Sequence, residues 1–249
     1  MPLKLLKNAL KKTGYTVTRV RSDVEFRADY YMRHNARRLE HLASLRIPVA
    51  GMSVLEVGAG IGDHSHYYFD RGCRLVITEG RPENIQYLKE RYTGADIRRV
   101  DLENPEPLNG SPFDVVHCYG LLYHLRTPKE SLEFMARNCK TLLLLETCVS
   151  FGADEQINPV AEAIDNPTQA VSGTGCRPTR LWIFNRLREQ FRHVYVPRTQ
   201  PNHSEFPIDW TAPDLHRDSL SRAIFIASRV PLDNPLLADE LIDRQHRHE

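Results

Sequence analysis

Short apolar runs alternate along the chain with longer stretches in which apolar positions recur at helical spacing. The runs at 54–57, 74–78, 97–100, 113–118 and 141–147 each read as a strand. Between them, the stretch from a glycine-rich turn to about Phe69, one opened by Pro82 and reaching Tyr92, and one opened near Pro128 read as helices. Proline suits a first helical position because its missing N–H has no partner there. This alternation predicts a parallel sheet with helices on both faces, and the run Leu142 to Leu145 fits a strand buried on both sides. Upstream, residues 23–45 contain neither Gly nor Pro and predict one long helix ending before Pro48. Downstream, 180–191 predicts a helix, and 193–197 and 222–228 the last strands. The rhythm breaks at 149–179, an insertion whose length suggests a functional or mobile segment, and again at 200–221, another polar loop. The expected organisation is a helical extension over 1–48, the main domain over 49–230 with those two insertions, and a tail over 231–249 whose last six residues fray.

Composition narrows the class. With 249 residues, 41% hydrophobic and 26% charged, the chain can bury a core and is neither wholly disordered nor collagen-like. No apolar run approaches the roughly 20 residues of a membrane-spanning helix. Five cysteines, odd in number and without C-x-x-C spacing, read as buried thiols of a reducing cytoplasm, the expected location. A net charge of +1 gives no bulk grip on nucleic acid, which is not the expected partner. Charge is uneven, however. Residues 1–22 carry Lys4, Lys7, Lys11, Lys12, Arg19 and Arg21 with no carboxylate before Asp23, beside an apolar stripe of Leu3, Leu6 and Leu10. This segment reads either as a helix packed on the body or as a surface helix touching anionic lipid or an anionic partner. Oligomeric state is not legible.

The glycine-rich turn is Glu56-Val57-Gly58-Ala59-Gly60-Ile61-Gly62, between a strand and a helix, where glycines let the backbone approach a ligand. A dinucleotide fingerprint needs G-x-G-x-x-G, and its third glycine would fall at Asp63, so a nicotinamide oxidoreductase is disfavoured. The pattern is instead an acid followed by G-x-G-x-G, with Glu79 closing the next strand. This resembles the class I S-adenosylmethionine-dependent methyltransferases over roughly residues 50–148. The resemblance implies a doubly wound, seven-stranded, mostly parallel sheet of Rossmann-like type, S-adenosyl-L-methionine as cofactor, and a small-molecule acceptor. It also implies a cofactor site of Glu56, Gly58, Ala59, Gly60, Gly62, Glu79, Gly80, Asp101, Leu102 and Tyr119. In it Glu56 orients the amino group, Glu79 accepts the ribose hydroxyls, and Asp101 stands near the adenine. A carboxylate suits the ribose because it can accept two hydroxyl hydrogen bonds at once. Asp101 alone also reads as a turn aspartate. The stretch Gly120-Leu121-Leu122-Tyr123-His124 resembles one found in enzymes that modify the wobble uridine of transfer RNA, and the chain's opening resembles glycan-tailoring enzymes.

Chemistry of the acceptor is read from residues beyond the cofactor loop. His124 is the expected general base for a hydroxyl acceptor, since imidazole titrates near neutral pH; its alternative is a histidine bonded to backbone. Tyr123 is expected to line the acceptor pocket, and Glu146 to meet the acceptor or assist His124. Arg177 and Arg180 are expected to grip an anionic group, and His203, with Asn202, Asp209 and Trp210, to complete a polar and aromatic pocket. Asp63, His64 and His66 lie close in sequence but match no metal-ligand spacing, so no metal is expected. The leading function is O-methylation of a small polar acceptor, a carbohydrate or carrier-linked metabolite. The alternatives are a transfer-RNA-modifying methyl or carboxymethyl transferase and a non-catalytic cofactor-binding protein.

Overall fold

The computed structural model describes residues 23–110, 112–216 and 220–249, so the basic opening segment lies outside the described residues. The described residues begin with two helices, α1 (Asp23–Phe26) and α2 (Asp29–Ser44). The expected single helix is broken between them: Ala28 adopts φ −59° and ψ 141°, an extended conformation that stops one helix and starts the next. The break lets Phe26 turn inward against Ile61 and Tyr87.

The alternating region follows in the expected order: β1 (Ser53–Val57), α3 (Ser65–Phe69), β2 (Arg74–Glu79), α4 (Pro82–Arg91), β3 (Asp96–Arg99), β4 (Phe113–Tyr119), α5 (Pro128–Arg137) and β5 (Cys139–Val149). A hairpin of β6 (Pro159–Ala161) and β7 (Thr174–Cys176) occupies the first insertion. Then come α6 (Arg180–Gln190), β8 (His193–Pro197), β9 (Thr199–Gln200), β10 (Ser221–Ser228), β11 (Leu237–Ala238) and β12 (His246–Arg247). The main sheet has eight strands in the order β11-β8-β10-β5-β4-β1-β2-β3. β1 to β5 run parallel, and β10 is antiparallel to β5 and β8. Seven strands were expected; the eighth, β11, comes from the tail and pairs with β8.

The leucine run of β5 accounts for how the sheet is buried. Side chains alternate between faces along a strand. Leu143 and Leu145 accordingly join one core with Met135, Ile183 and Phe225. Leu142 and Leu144 join the other with Leu42, Tyr68 and Ile77. All five cysteines are buried and free. Among the described residues no helix is long and apolar enough to cross a membrane.

The tail is tied down rather than frayed. β12 pairs with β9, buried Gln245 bonds Gln200 and the Pro197 carbonyl, and Trp210 Nε1 donates to Gln245. Strand order reverses between β1 and β4, which opens a crevice at the carboxyl ends of these strands, where open α/β sheets bind ligands.

Candidate functional site

The crevice holds two adjoining clefts that share Phe26, Tyr31, Val57, Gly58, Gly60 and Gly120. The larger encloses about 730 Å³ including its open mouth, and is also lined by Glu79, Gly80, Asp101, Leu102, His124 and residues 167–171. The smaller, about 460 Å³, adds Asn35, Arg38, Glu56, Ala59, His64, His117 and Tyr119. The glycine loop forms the floor between them. Gly58 and Gly60 have φ of +67° and +58°, values that only glycine adopts at little cost. A Cβ on Gly60 would lie 3.0 Å from the Phe26 ring. Gly62 faces away: a Cβ there would meet Tyr92 and Leu88 at 2.6 and 2.7 Å, so this third glycine serves packing. The helix after the loop starts only at Ser65, because three positive-φ glycines on alternate residues cannot be helical.

Glu79 holds the loop. Its Oε2 accepts from Gly60 N at 2.7 Å, and its Oε1 from Gly80 N and Arg81 N at 2.9 Å each. Burial pushes this carboxyl above the ordinary range, and the three backbone donors oppose the shift. Glu56 sits deeper, 2% exposed, and accepts the Ser65 hydroxyl at 2.5 Å. Burial raises its carboxyl to about 7, with Ser65 opposing and Asp63 adding to the rise. Asp101 is exposed on the cleft wall, and its Oδ1 accepts the Glu103 N–H, so it caps its own turn as well as facing the cleft; Leu102 beside it is buried. Tyr119 packs on His117 with centroids 4.4 Å apart, and its hydroxyl has no partner. His64 Nε2 and Arg38 Nε, in the same smaller cleft, are likewise buried without partners.

His124 has an acidic partner, and it is not Glu146. Its Nδ1 contacts Glu162 Oε2, from the residue directly after β6. The Ala170 N–H donates to the same oxygen at 2.8 Å, and Arg177 Nη1 lies 3.4 Å from Oε1. Burial pushes the His124 imidazole below its ordinary range, while Glu162 pulls it back up. Gly175 on β7 makes this arrangement possible: a Cβ there would stand 2.4 Å from the Tyr123 carbonyl and 2.7 Å from Glu162 Oε1. Glu162 was not singled out from the sequence. The only signal was that an insertion of this length suggested function. Arg81 ties the insertion down, with Nη2 donating to the carbonyls of Ile164, Gln169 and Ala170.

The remaining expected acceptor residues scatter. Glu146 is fully buried: Arg38 Nη2 stands 2.7 Å from its Oε2, close but not aligned as a hydrogen bond, and Arg222 Nη1 donates to its Oε1 at 3.2 Å. Arg38 and Arg222 were missed because they come from α2 and β10, far from Glu146 in sequence. Gly120 makes room for Arg38, whose guanidinium nitrogens would lie 3.2 Å from a Cβ at that position. Tyr123 is buried, its ring 3.9 Å from that of His124 and its hydroxyl 3.4 Å from Arg222 Nη2. Arg177 is half-buried and committed to Glu162 and to the Tyr123 and Cys176 carbonyls. Arg180 lies away from both clefts: it donates to the Ile242 carbonyl and stacks over Trp210, so its expected role as an anion grip is corrected. Trp210 and Asp209 are used internally, by Gln245 and Thr211, and offer no sugar platform. His203 stands beside His34 instead. Asp63 bonds Asn35 and Arg91, His64 bonds His117, and His66 is exposed, so these three do not converge.

Comparison with known proteins bears on this geometry. Residues 55–142 match the family described as a methyltransferase domain. The chain is 29% identical over 164 residues to the tRNA U34 carboxymethyltransferase of Haemophilus influenzae (strain PittGG), covering 62% of this chain and 47% of that one. It is 30% identical over 156 residues to the protein of the same name from Aeromonas salmonicida (strain A449), covering 59% and 45%. The chain thus spans about half the length of the curated relatives it matches. Its fold is similar to the N-terminal domain of EvdMO1, crystallised in the presence of SAH and D-fucose, with 19% identity, a TM-score of 0.60, and coverage of 92% of this chain and 97% of that one. It is also similar to an S-adenosylmethionine dependent methyltransferase from Mesorhizobium loti, with 16% identity, a TM-score of 0.56, and coverage of 79% and 100%.

Proposed function

We propose that this chain is a class I S-adenosylmethionine-dependent methyltransferase that methylates a hydroxyl oxygen of a polar acceptor, with His124 as the base. The observation that carries this reading is His124 on the wall of the larger cleft, with its Nδ1 engaged by Glu162. The donor set fits the cofactor: Glu79 lines the larger cleft with a carboxylate that, beyond its three backbone donors, keeps acceptor room for a ribose hydroxyl, and the smaller cleft ends in unpartnered polar atoms on Arg38, His64 and Tyr119 that suit an amino acid end. When bound, S-adenosylmethionine supplies a methyl group activated by its sulfonium. Glu56, the loop at 58–60, Glu79 and Gly80 hold it, with Asp101 and Leu102 walling the far side.

Glu162 fixes the histidine tautomer. With Nδ1 engaged by the carboxylate, Nε2 is left to take the acceptor proton, the usual logic of an oriented imidazole. Transfer from a sulfonium is an in-line displacement, so holding the partners at near-attack distance supplies much of the acceleration. The insertion, tied down by Arg81, walls the cleft with residues 167–171.

A second reading rests on the curated relatives named as tRNA U34 carboxymethyltransferases, which favour a transfer-RNA acceptor over a small molecule. Incubation with labelled cofactor, bulk transfer RNA and a pool of small hydroxylated metabolites separates the two. Label in RNA, weakening steeply with salt, supports the second reading. On either acceptor, His124→Ala should keep S-adenosylhomocysteine affinity by calorimetry and lose turnover roughly 10²- to 10⁴-fold. The wild-type rate should fall on acidification through an apparent pKa below the ordinary imidazole value, since only neutral histidine accepts the proton. Near-normal turnover in His124→Ala would overturn the assignment of the base.

A further inference from the structure

On the other side of Tyr123 from His124 lies a group of side chains that the methyl-transfer reading does not use. His34 projects from α2 against the segment after β9, its ring stacked on that of His203 with centroids 4.9 Å apart. It is 3% exposed, yet its Nε2 has no hydrogen-bond partner. The nearest carboxylate oxygen, Oε2 of Glu205, stands 3.9 Å away, beyond hydrogen-bond reach. One ligand atom from each of His34, His203 and Glu205 lies within 4.8 Å of the others. Neutral imidazole is the form that binds metals.

We propose that His34, His203 and Glu205 bind a divalent transition-metal ion, with coordination positions left open on the half-exposed side. Two histidines and one carboxylate suit zinc, iron or cobalt better than magnesium or calcium. Zinc-type bonds of about 2.0–2.1 Å would draw the ligand atoms to roughly 3.4 Å of one another, a modest closure of the 203–205 segment. That segment is already held: Arg247 Nη1 donates to the carbonyls of Pro201, His203 and Phe206. The neighbouring cations do not forbid the ion. Arg222 Nε donates to Glu205 at 2.5 Å, and Arg222 and Arg38 flank Glu146, so two guanidinium groups are matched by two carboxylates. A dication then arrives with uncompensated charge and takes an anionic oxygen, hydroxide or an ionised acceptor, in an open position. Arg222 also reaches the Tyr123 hydroxyl, which places the ion on the acceptor side of the site.

The probe is the metal alone. Chelator-treated full chain is titrated with Co²⁺, followed by its visible ligand-field absorption and displacement by Zn²⁺. One equivalent should develop the bands, His34→Ala and His203→Ala should each abolish them, and Glu205→Gln should weaken binding at least tenfold. His66→Ala, an exposed histidine elsewhere, should bind normally. Absence of bands in the wild type, their survival in the His34→Ala/His203→Ala double variant, or equal loss in His66→Ala would each overturn the site. Circular dichroism without metal checks folding, and if the buried His34 variant unfolds, the half-exposed His203→Gln carries the test. S-adenosylhomocysteine calorimetry on the same samples reads the cofactor site independently, so failure of the metal leaves the methyltransferase reading intact.

Discussion

Glu56 illustrates how far a single side chain is determined by burial. Its place at the end of a strand, one residue before the glycine turn, was legible from spacing. Its protonation was not, because that depends on Ser65 and on the dry floor of the cleft. With the carboxyl raised from an ordinary 4.5 to about 7, the folded protein binds a proton that the unfolded chain releases. The associated stability is fully present below pH 4.5 and is lost as pH rises through about 7. At ~1.4 kcal/mol per unit this amounts to at most about 3 kcal/mol. Glu56→Gln, which keeps the shape and a hydrogen-bond acceptor, should therefore gain stability over the wild type between pH 5 and pH 8. Thermal melts of both proteins at the two pH values test this, and parallel changes would refute the shifted carboxyl. His124 follows the same pattern. The residue was visible in the sequence, whereas its partner Glu162 was not, since the two stand 38 positions apart and only the folding of the insertion brings them together.

At the scale of elements, legibility tracked the range of the forces involved. The parallel strands and α4 to α6 were readable because period and proline position are local signals. The β6–β7 hairpin and β11 and β12 were not, because two- or three-residue strands are defined by distant partners. The tail's contribution is concentrated in Arg247, whose three hydrogen bonds of 2.7 to 2.8 Å close the loop at 201–206. Arg247→Ala leaves those carbonyls to half-buried surroundings and should cost about 1–3 kcal/mol, the range for losing a charged donor. A domain of this size loses roughly 2–4 °C of Tm per kcal/mol. The variant should accordingly melt several degrees lower and become sensitive to proteolysis within 201–206. An unchanged melt would mean that the segment stands without the tail.

Across the whole molecule, one buried network joins parts that no local pattern connects. Arg38 comes from α2, Glu146 from β5, Arg222 from β10 and Glu205 from the second insertion, yet the four are linked in sequence behind the smaller cleft, which Arg38 lines. The fold class was readable because the glycine turn and the strand rhythm are local; this network was not, since its members are spread over nearly the full described chain. Glu146, with none of its surface exposed, neutralises two guanidinium groups at once. Glu146→Ala should leave both cations buried and short of a partner, costing about 3–5 kcal/mol, as when one member of a buried pair is removed. Replacing the pair together, Glu146→Leu with Arg38→Met, removes a charge of each sign and should cost clearly less than the two single changes combined. Denaturant unfolding of the two single variants and the double variant gives the coupling directly. Strict additivity would show that Arg38 and Glu146 are stabilised separately by their surroundings. In that case α2 would close the crevice through its apolar face alone, Leu42 against Tyr68 and Ile77, and Arg38 would be free to meet the cofactor.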